Sequence, residues 1–480
     1  MGAMRFVALA ALAASAFAQI PLPKVTQLPI TADSGPFLAA SKNLAPVDLA
    51  KVGYVEEEYI LSGSANVYDL TADGNLSVQT PNAPYGVRVL VRRPATQARF
   101  SGAVYVELMN AARRMDWSMM WGYSHDHFLQ RGDAWIGVSL PGATPGLQKY
   151  NAARYAGVSF ANPKPGAACP GNAKGGASDV EPGLMWDVLS QLAASVKSTA
   201  AVRPMAPLQV GGIYLTSQGG DITFYINSVH DHAKLANGKP AWDGYLVRNP
   251  AAPSRVNQCA PALAQDDPRR KIKDIAVPVI GVVAQGELAD SAWARKPDSD
   301  APTGRYRHYE VAAASHIDKY PYTALANFAE QAAAGTPEGN IDFPFAAPCE
   351  PAITMQDSKL MSYVFDMSFQ ALDEWSRKGK TPPKATPLDL SKINEYGIAP
   401  GGIRSPFSDV PAAVYTTTTG GPGNCREMGS TKPVDDVRIT ALYGSRKNYE
   451  TKFAAAADAM LKAGFVTPSD AKELKAHPNP

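Results

Sequence analysis

The chain reads as an α/β protein with a mostly parallel central sheet covered by helices on both faces. Three observations predict this. Short apolar runs bounded by turn residues recur along the chain, helical patterns alternate with them, and 480 residues suffice for one large elaborated domain. The composition, 45% hydrophobic and 19% charged, is an ordinary globular balance.

In chain order, a Pro-rich lead-in (Pro21 to Pro36) is followed by Val55 to Leu61 and Asn66 to Leu70, read as a hairpin. Apolar strands are expected at Val87 to Val91 and Val104 to Leu108, a helix at Trp117 to Gln130, and a strand at Ala134 to Leu140. The Gly/Pro/Ala-rich stretch from Pro141 to Pro182 lacks periodicity. A loop that long inside a domain is usually functional, so it is read as a lid or cap.

Apolar positions at helical spacing resume from Trp186 to Val196. Val210 to Leu215 is a strand, Asp221 to Leu235 a helix, and Gly244 to Val247, Val277 to Val283 and Tyr306 to Val311 are further strands. Helices are expected at Tyr322 to Ala334, Met361 to Arg377, Tyr449 to Ala463 and Pro468 to Lys475. The division is then 1–18 signal peptide, 19–52 lead-in, 53–334 core with its lid at 141–182, and 335–480 a helical, proline-rich extension packed on the core.

The N-terminus carries the signs of export. Arg5 supplies a positive charge, Phe6 to Ala14 an apolar run too short to span a bilayer, and Ala16-Phe17-Ala18 a small-x-small cleavage site before Gln19. No later stretch reaches the ~18 apolar residues of a membrane helix. A secreted or periplasmic location follows as the expectation. It suits Cys169, Cys259, Cys349 and Cys425, which allow two disulfides in any of three pairings and contain no C-x-x-C metal or redox pair. With 46 basic and 44 acidic residues the net charge is +2, without a basic stripe, which argues against nucleic acid or an anionic membrane as partner. The run Glu56-Glu57-Glu58 reads as a solvated strand face.

The segment Gly211-Gly212-Ile213-Tyr214-Leu215-Thr216-Ser217-Gln218-Gly219-Gly220 is a strand entering a serine, with a helix starting at once. A serine hydroxyl needs a base and a stabilised oxyanion to act as a nucleophile. A sharp strand-to-helix turn exposes the hydroxyl, strains the serine backbone and aims the next N–H, of Gln218, at the oxyanion. Small residues are then wanted two positions either side, a demand that Gly219 meets and Leu215 does not. An acid and a histidine should follow on loops after later strands. Glu287, or Asp290, stands after the Val277 to Val283 strand, and His316 after Tyr306 to Val311 behind small residues Ala312-Ala313-Ala314-Ser315. Glu287 is favoured as the acid because it lies nearer the strand end and follows Gly286. Asp290 could instead cap a helix from Ser291-Ala292-Trp293. His125-Asp126-His127 and His230-Asp231-His232 are read as surface or packing residues, since i,i+2 pairs on a helix diverge; no metal site is expected.

Further segments carry a resemblance. They are Glu58-Tyr59-Ile60-Leu61-Ser62-Gly63-Ser64-Ala65-Asn66-Val67-Tyr68, Val89-Leu90-Val91-Arg92-Arg93-Pro94, Val106-Glu107-Leu108-Met109-Asn110, the Ser217-Gln218 pair and Trp242-Asp243-Gly244-Tyr245-Leu246-Val247. Arg295-Lys296-Pro297-Asp298-Ser299-Asp300, Ser315-His316-Ile317-Asp318 and Gly401-Gly402-Ile403-Arg404-Ser405-Pro406 extend it. The chain resembles the bacterial and fungal α/β-hydrolase-domain family of exported hydrolases with a Ser-Gln elbow, from about Gly53 to Ala476. The resemblance implies the α/β-hydrolase fold with cap or lid insertions and Ser217, Glu287 and His316 as a triad. It departs at Leu215-Thr216, where members carry glycine and glutamate, and at Ala111-Ala112-Arg113-Arg114, where members carry glycines. The second oxyanion donor is accordingly placed at the backbone N–H of Asn110 or Ala111.

The leading reading is a cofactor-free serine esterase or lactonase acting on a small-molecule or polymer ester through an acyl-enzyme. The alternatives are a catalytically dead hydrolase fold serving as a binding module, and a peptidase or amidase on the same fold.

Overall fold

The computed structural model describes residues 20–166, 169, 179–338, 341–345, 349–350 and 358–478; the expected signal segment, 1–18, lies outside them. One sheet contains β1 (Lys24–Leu28), β2 (Tyr54–Leu70), β3 (Leu76–Pro94), β4 (Ala103–Leu108), β5 (Ala134–Val138), β6 (Gly212–Gln218), β7 (Gly244–Arg248), β8 (Val279–Ala284) and β9 (Tyr306–Val311). Their order is β1-β2-β3-β5-β4-β6-β7-β8-β9, antiparallel as far as β5 and parallel from there on.

The helices are α1 (Met119–Arg131), α2 (Thr144–Tyr150), α3 (Met185–Lys197), α4 (Gly219–Phe224), α5 (Leu288–Ser291) and α6 (Lys319–Thr323). They continue as α7 (Phe328–Ala333), α8 (Leu360–Lys378), α9 (Pro406–Asp409), α10 (Asp436–Tyr443), α11 (Arg446–Lys462) and α12 (Pro468–Ala476). Alternation along the strands builds two cores. Tyr105, Tyr214, Leu246 and Ile280 pack with residues of α1 and α8 on one face. Val104, Val106, Ile213, Leu215 and Val247 pack with α3 and α4 on the other. Burial of both faces is why these strands read as continuous apolar runs.

Helix α1 starts where it does because of a strand carboxylate. Glu107, buried on β4, accepts from the N–H groups of Met120 (2.9 Å) and Trp121 (3.1 Å) and from Trp135 Nε1 (2.8 Å). It satisfies donors that a helix start leaves open. Burial pushes its carboxyl up to about 7 despite those bonds.

Several expectations change. The expected hairpin is one 17-residue strand, β2, carrying a bulge between Ala65 and Val67, and the turn to β3 falls at residues 71–75 instead. Gly63 and its serines resemble a turn, but pairing with β3 overrides them. The lead-in contributes β1, and the extension holds a two-stranded sheet of β10 (Ala413–Thr416) and β11 (Ser430–Pro433). The helix expected at 322–334 is broken between α6 and α7, where Asn327 caps α7 by accepting from Glu330 N–H (3.1 Å).

Glu56-Glu57-Glu58 is not a solvated face. Glu56 pairs with Arg92 (2.7 Å), Glu57 with Arg93 (2.7 Å), and Glu58, 0% exposed, with Arg88 (2.5 Å) and Arg154 (2.6 Å). Cross-strand arginines on β3 and one from the 141–182 segment neutralise the three carboxylates, which permits their burial.

Cys169 pairs with Cys259 and Cys349 with Cys425. Among the described residues no helix is long and apolar enough to cross a membrane.

Candidate active site

The parallel strands deliver their C-terminal ends to one edge of the sheet. Ser217 is the penultimate residue of β6, in register with Val247 of β7, and Glu287 and His316 follow β8 and β9. This is the edge at which open parallel sheets bind ligands.

Glu287 and His316 meet. His316 Nδ1 is hydrogen-bonded to Glu287 Oε1, and Glu287 Oε2 accepts from Ala284 N–H at 2.7 Å. A carboxylate can only accept, so Nδ1 carries the proton and Nε2 is left basic. Burial pushes the Glu287 carboxyl up, but the His316 imidazole, the Arg248 charge and the Ala284 N–H outweigh it and hold the group below its ordinary 4.5. Asp290 lies elsewhere: it sits within α5, its side chain 77% exposed, and pairs with Arg426 at 3.1 Å. It is neither a partner of His316 nor a helix cap.

Ser217 is 6% exposed, and its hydroxyl donates to the Leu108 carbonyl at 2.9 Å rather than to His316. Its backbone also departs from expectation. Ser217 is paired into β6 and is absent from the positive-φ residues, so the strained elbow is not formed in this state. The turn is made at Gln218, whose φ of −67° and ψ of 154° cap α4. Gly219 is required there, because a Cβ would lie 2.2 Å from the Asn249 carbonyl oxygen. Leu215 needs no such smallness, being a buried core residue of the strand.

Of the two residues expected to supply a second oxyanion donor, Asn110 drops out as a backbone donor. Its N–H is committed to the Trp117 carbonyl at 2.9 Å. Among the described residues the Ala111 N–H has no such partner, and the residue is half-buried.

The histidine loop is fixed from several sides. Ala313, with φ of 65°, donates its N–H to Gln285 Oε1 (3.0 Å), which also accepts from Ala399 N–H (3.1 Å). Gly286 donates to the Ala314 carbonyl (3.0 Å), and a Cβ there would lie 2.3 Å from the Thr417 carbonyl oxygen. Ile317 N–H donates to the Glu427 carbonyl at 2.8 Å. Sequence reasoning missed Arg248, the buried last residue of β7. Its Nη2 donates to the His316 carbonyl at 2.5 Å, and Tyr123 OH on α1 donates to the same oxygen at 3.3 Å. The signal was an arginine ending an otherwise apolar strand.

The other shared motifs serve the sheet edge. Arg295 grips Glu310 of β9 with two bonds (2.6 and 2.8 Å), and Ile403 N–H pairs with the Glu310 carbonyl (2.6 Å). Gly402 permits that approach, since a Cβ would lie 2.5 Å from the same carbonyl oxygen.

A mostly parallel sheet flanked by helices on both faces is the architecture of the α/β-hydrolase class, and Ser217, Glu287 and His316 all stand at the C-terminal ends of its strands. The chain belongs to the α/β hydrolase domain family, which it matches over residues 20–476. Comparison with curated proteins finds no match. Among solved structures, a bacterial heroin esterase is similar at 11% identity and a TM-score of 0.30, covering 56% of this chain and 77% of that one. A glucuronoyl esterase from Solibacter usitatus gives 10% identity and 0.28 over 61% and 82%, and a siderophore hydrolase from Aspergillus nidulans 12% and 0.26 over 53% and 76%.

Proposed function

We propose that the protein is an exported serine hydrolase of carboxylic esters or lactones, with Ser217 as nucleophile, His316 as base and Glu287 as the acid that orients it. The observation that carries this reading is the Glu287 bond to His316 Nδ1, which leaves Nε2 free to take a proton.

In the first half-reaction the Ser217 hydroxyl turns from Leu108, gives its proton to Nε2 and attacks the ester carbonyl. The oxyanion is received by the Gln218 and Ala111 N–H groups, and the imidazolium returns the proton to the leaving alcohol. Water then repeats the attack on the acyl-enzyme and frees the acid and Ser217. Arg248 positions the histidine through its main chain. The segment 141–182 is the lid: Gly142 and Gly146 lie against Ala111 and Arg114, beside the oxyanion donor. The two disulfides support an oxidising destination.

A second reading, an inactive binding module, draws on the Ser217 hydroxyl bound to Leu108 and the unstrained serine backbone. A fluorophosphonate probe separates the two, because only an activated serine is labelled. Labelling of wild type but not of Ser217→Ala, with turnover on an ester, lactone and amide panel, supports the hydrolase. An unlabelled, well-folded wild type rejects it, and preference for amides moves the reading to an amidase.

A further inference from the structure

Away from the candidate site, three helices distant in sequence bring together His127 (α1), Asp366 (α8) and Asp470 (α12). All three are buried, 5%, 5% and 7% exposed, and one ligand atom from each lies within 4.8 Å of the others. We propose that these residues bind a divalent first-row metal ion, zinc foremost, which fastens the last helix to the hydrolase core.

Two of the groups are left unsatisfied by the protein. His127 Nε2 and Asp366 Oδ1 are buried without a hydrogen-bond partner, although a buried polar atom is normally bonded. Among the described residues no lysine or arginine pairs with Asp366 or Asp470. Lys359, the nearest candidate, is committed to Glu473 (2.8 Å), and Arg131 to Asp133 and Asp373.

One imidazole nitrogen and two carboxylate oxygens suit zinc or its first-row neighbours. Calcium prefers six to eight oxygens and is a poorer fit. Ligands bound at about 2.0–2.2 Å around a tetrahedral ion lie roughly 3.3–3.6 Å apart, so atoms as much as 4.8 Å apart would have to close by up to about an ångström. The i,i+2 divergence of His125 and His127 holds, for His125 stacks on Tyr320 instead (centroids 5.9 Å). The partners of His127 come from residues more than two hundred positions away, which local spacing cannot reveal. Asp470 is presented at the first turn of α12 by Thr467, whose hydroxyl donates to its Oδ2 at 2.7 Å.

The test uses the untagged full-length protein, stripped with EDTA and reloaded with zinc before elemental analysis. Wild type should retain about one zinc per chain, and His127→Gln and Asp470→Asn less than about a tenth of that. Stripping should lower the wild-type Tm by a few degrees and speed amide exchange across 468–476. Cobalt added to stripped wild type should give the visible bands of a low-coordinate N/O site, a readout that does not depend on the variants folding. Reloaded wild type without zinc, zinc retained equally by folded variants, or a Tm and cobalt spectrum indifferent to the metal would each overturn the proposal.

Discussion

Two regions of the sheet bury charge and treat it differently. At the β2–β3 side, Glu58 has both oxygens taken, Oε1 by Arg88 and Tyr155 (2.9 Å) and Oε2 by Arg154. Arg88 also reaches Asp116 (2.8 Å), which accepts from Ser139 (2.5 Å). At the β6–β9 edge, among the described residues, the Ser217 hydroxyl is bonded only to a main-chain carbonyl, the Ala111 N–H has no partner, and Arg248 Nε and Nη1 are buried and unpaired. Both regions keep some buried polar atoms without partners, Arg92 Nη1, Asp116 Oδ1 and Arg154 Nη2 on the first side, but only there is each buried carboxylate held by an arginine, which fixes structure.

The sharpest separation is expected from Ser217→Ala. Turnover of the best ester should fall by roughly 10⁴-fold or more while Tm stays within a degree or so of wild type. Residual activity within about tenfold would place the nucleophile elsewhere.

Glu287→Gln should also slow turnover by orders of magnitude, up to ~10⁴, with Asp290→Asn near wild type. Its stability effect carries a sign. Because the folded carboxyl is held below 4.5, its contribution is present above that pH and is lost as pH falls through the folded value. The Tm gap between wild type and Glu287→Gln should therefore close on acidification; a gap that widens would contradict the assigned direction.

Glu58→Gln inverts the pattern. It strands Arg88 and Arg154 and should cost about 3–5 kcal/mol in chemical denaturation, while kcat/KM of the folded fraction changes little. A rate loss at unchanged stability would erase the distinction drawn between the two regions.

The smallest effect is expected from Ala313→Gly. A left-handed residue loses its Cβ penalty but gains unfolded-state freedom, so the net should be within about 1 kcal/mol of wild type, on the stabilising side. A clear loss of stability would show that the Ala313 side chain, not its backbone, matters.

Legibility in the sequence followed burial. Tyr306 to Val311 was readable to the residue, and Val104 to Leu108 nearly so, because strands covered on both faces are continuous apolar runs. The β2–β3 ribbon was not. Its glycines and serines imitate a turn, and its glutamates imitate a wet surface until the partner arginines are placed. Glu287 and His316 were readable because each follows a strand by a few residues. The state of Ser217, the occupied Asn110 N–H and the role of Arg248 depend on contacts between elements far apart in the chain, which no local pattern encodes.

The histidine loop is held by Ile317 bonded to Glu427, and β9 by Ile403; Ile403 and Glu427 follow His316 by roughly ninety and a hundred and ten positions. A growing polypeptide thus emerges from the ribosome with Ser217, Glu287 and His316 already made, yet without the segment that fixes the histidine loop. Hydrolytic competence would arrive only near the end of synthesis, and a message cut short after α8 would yield a sheet that folds around a slack imidazole.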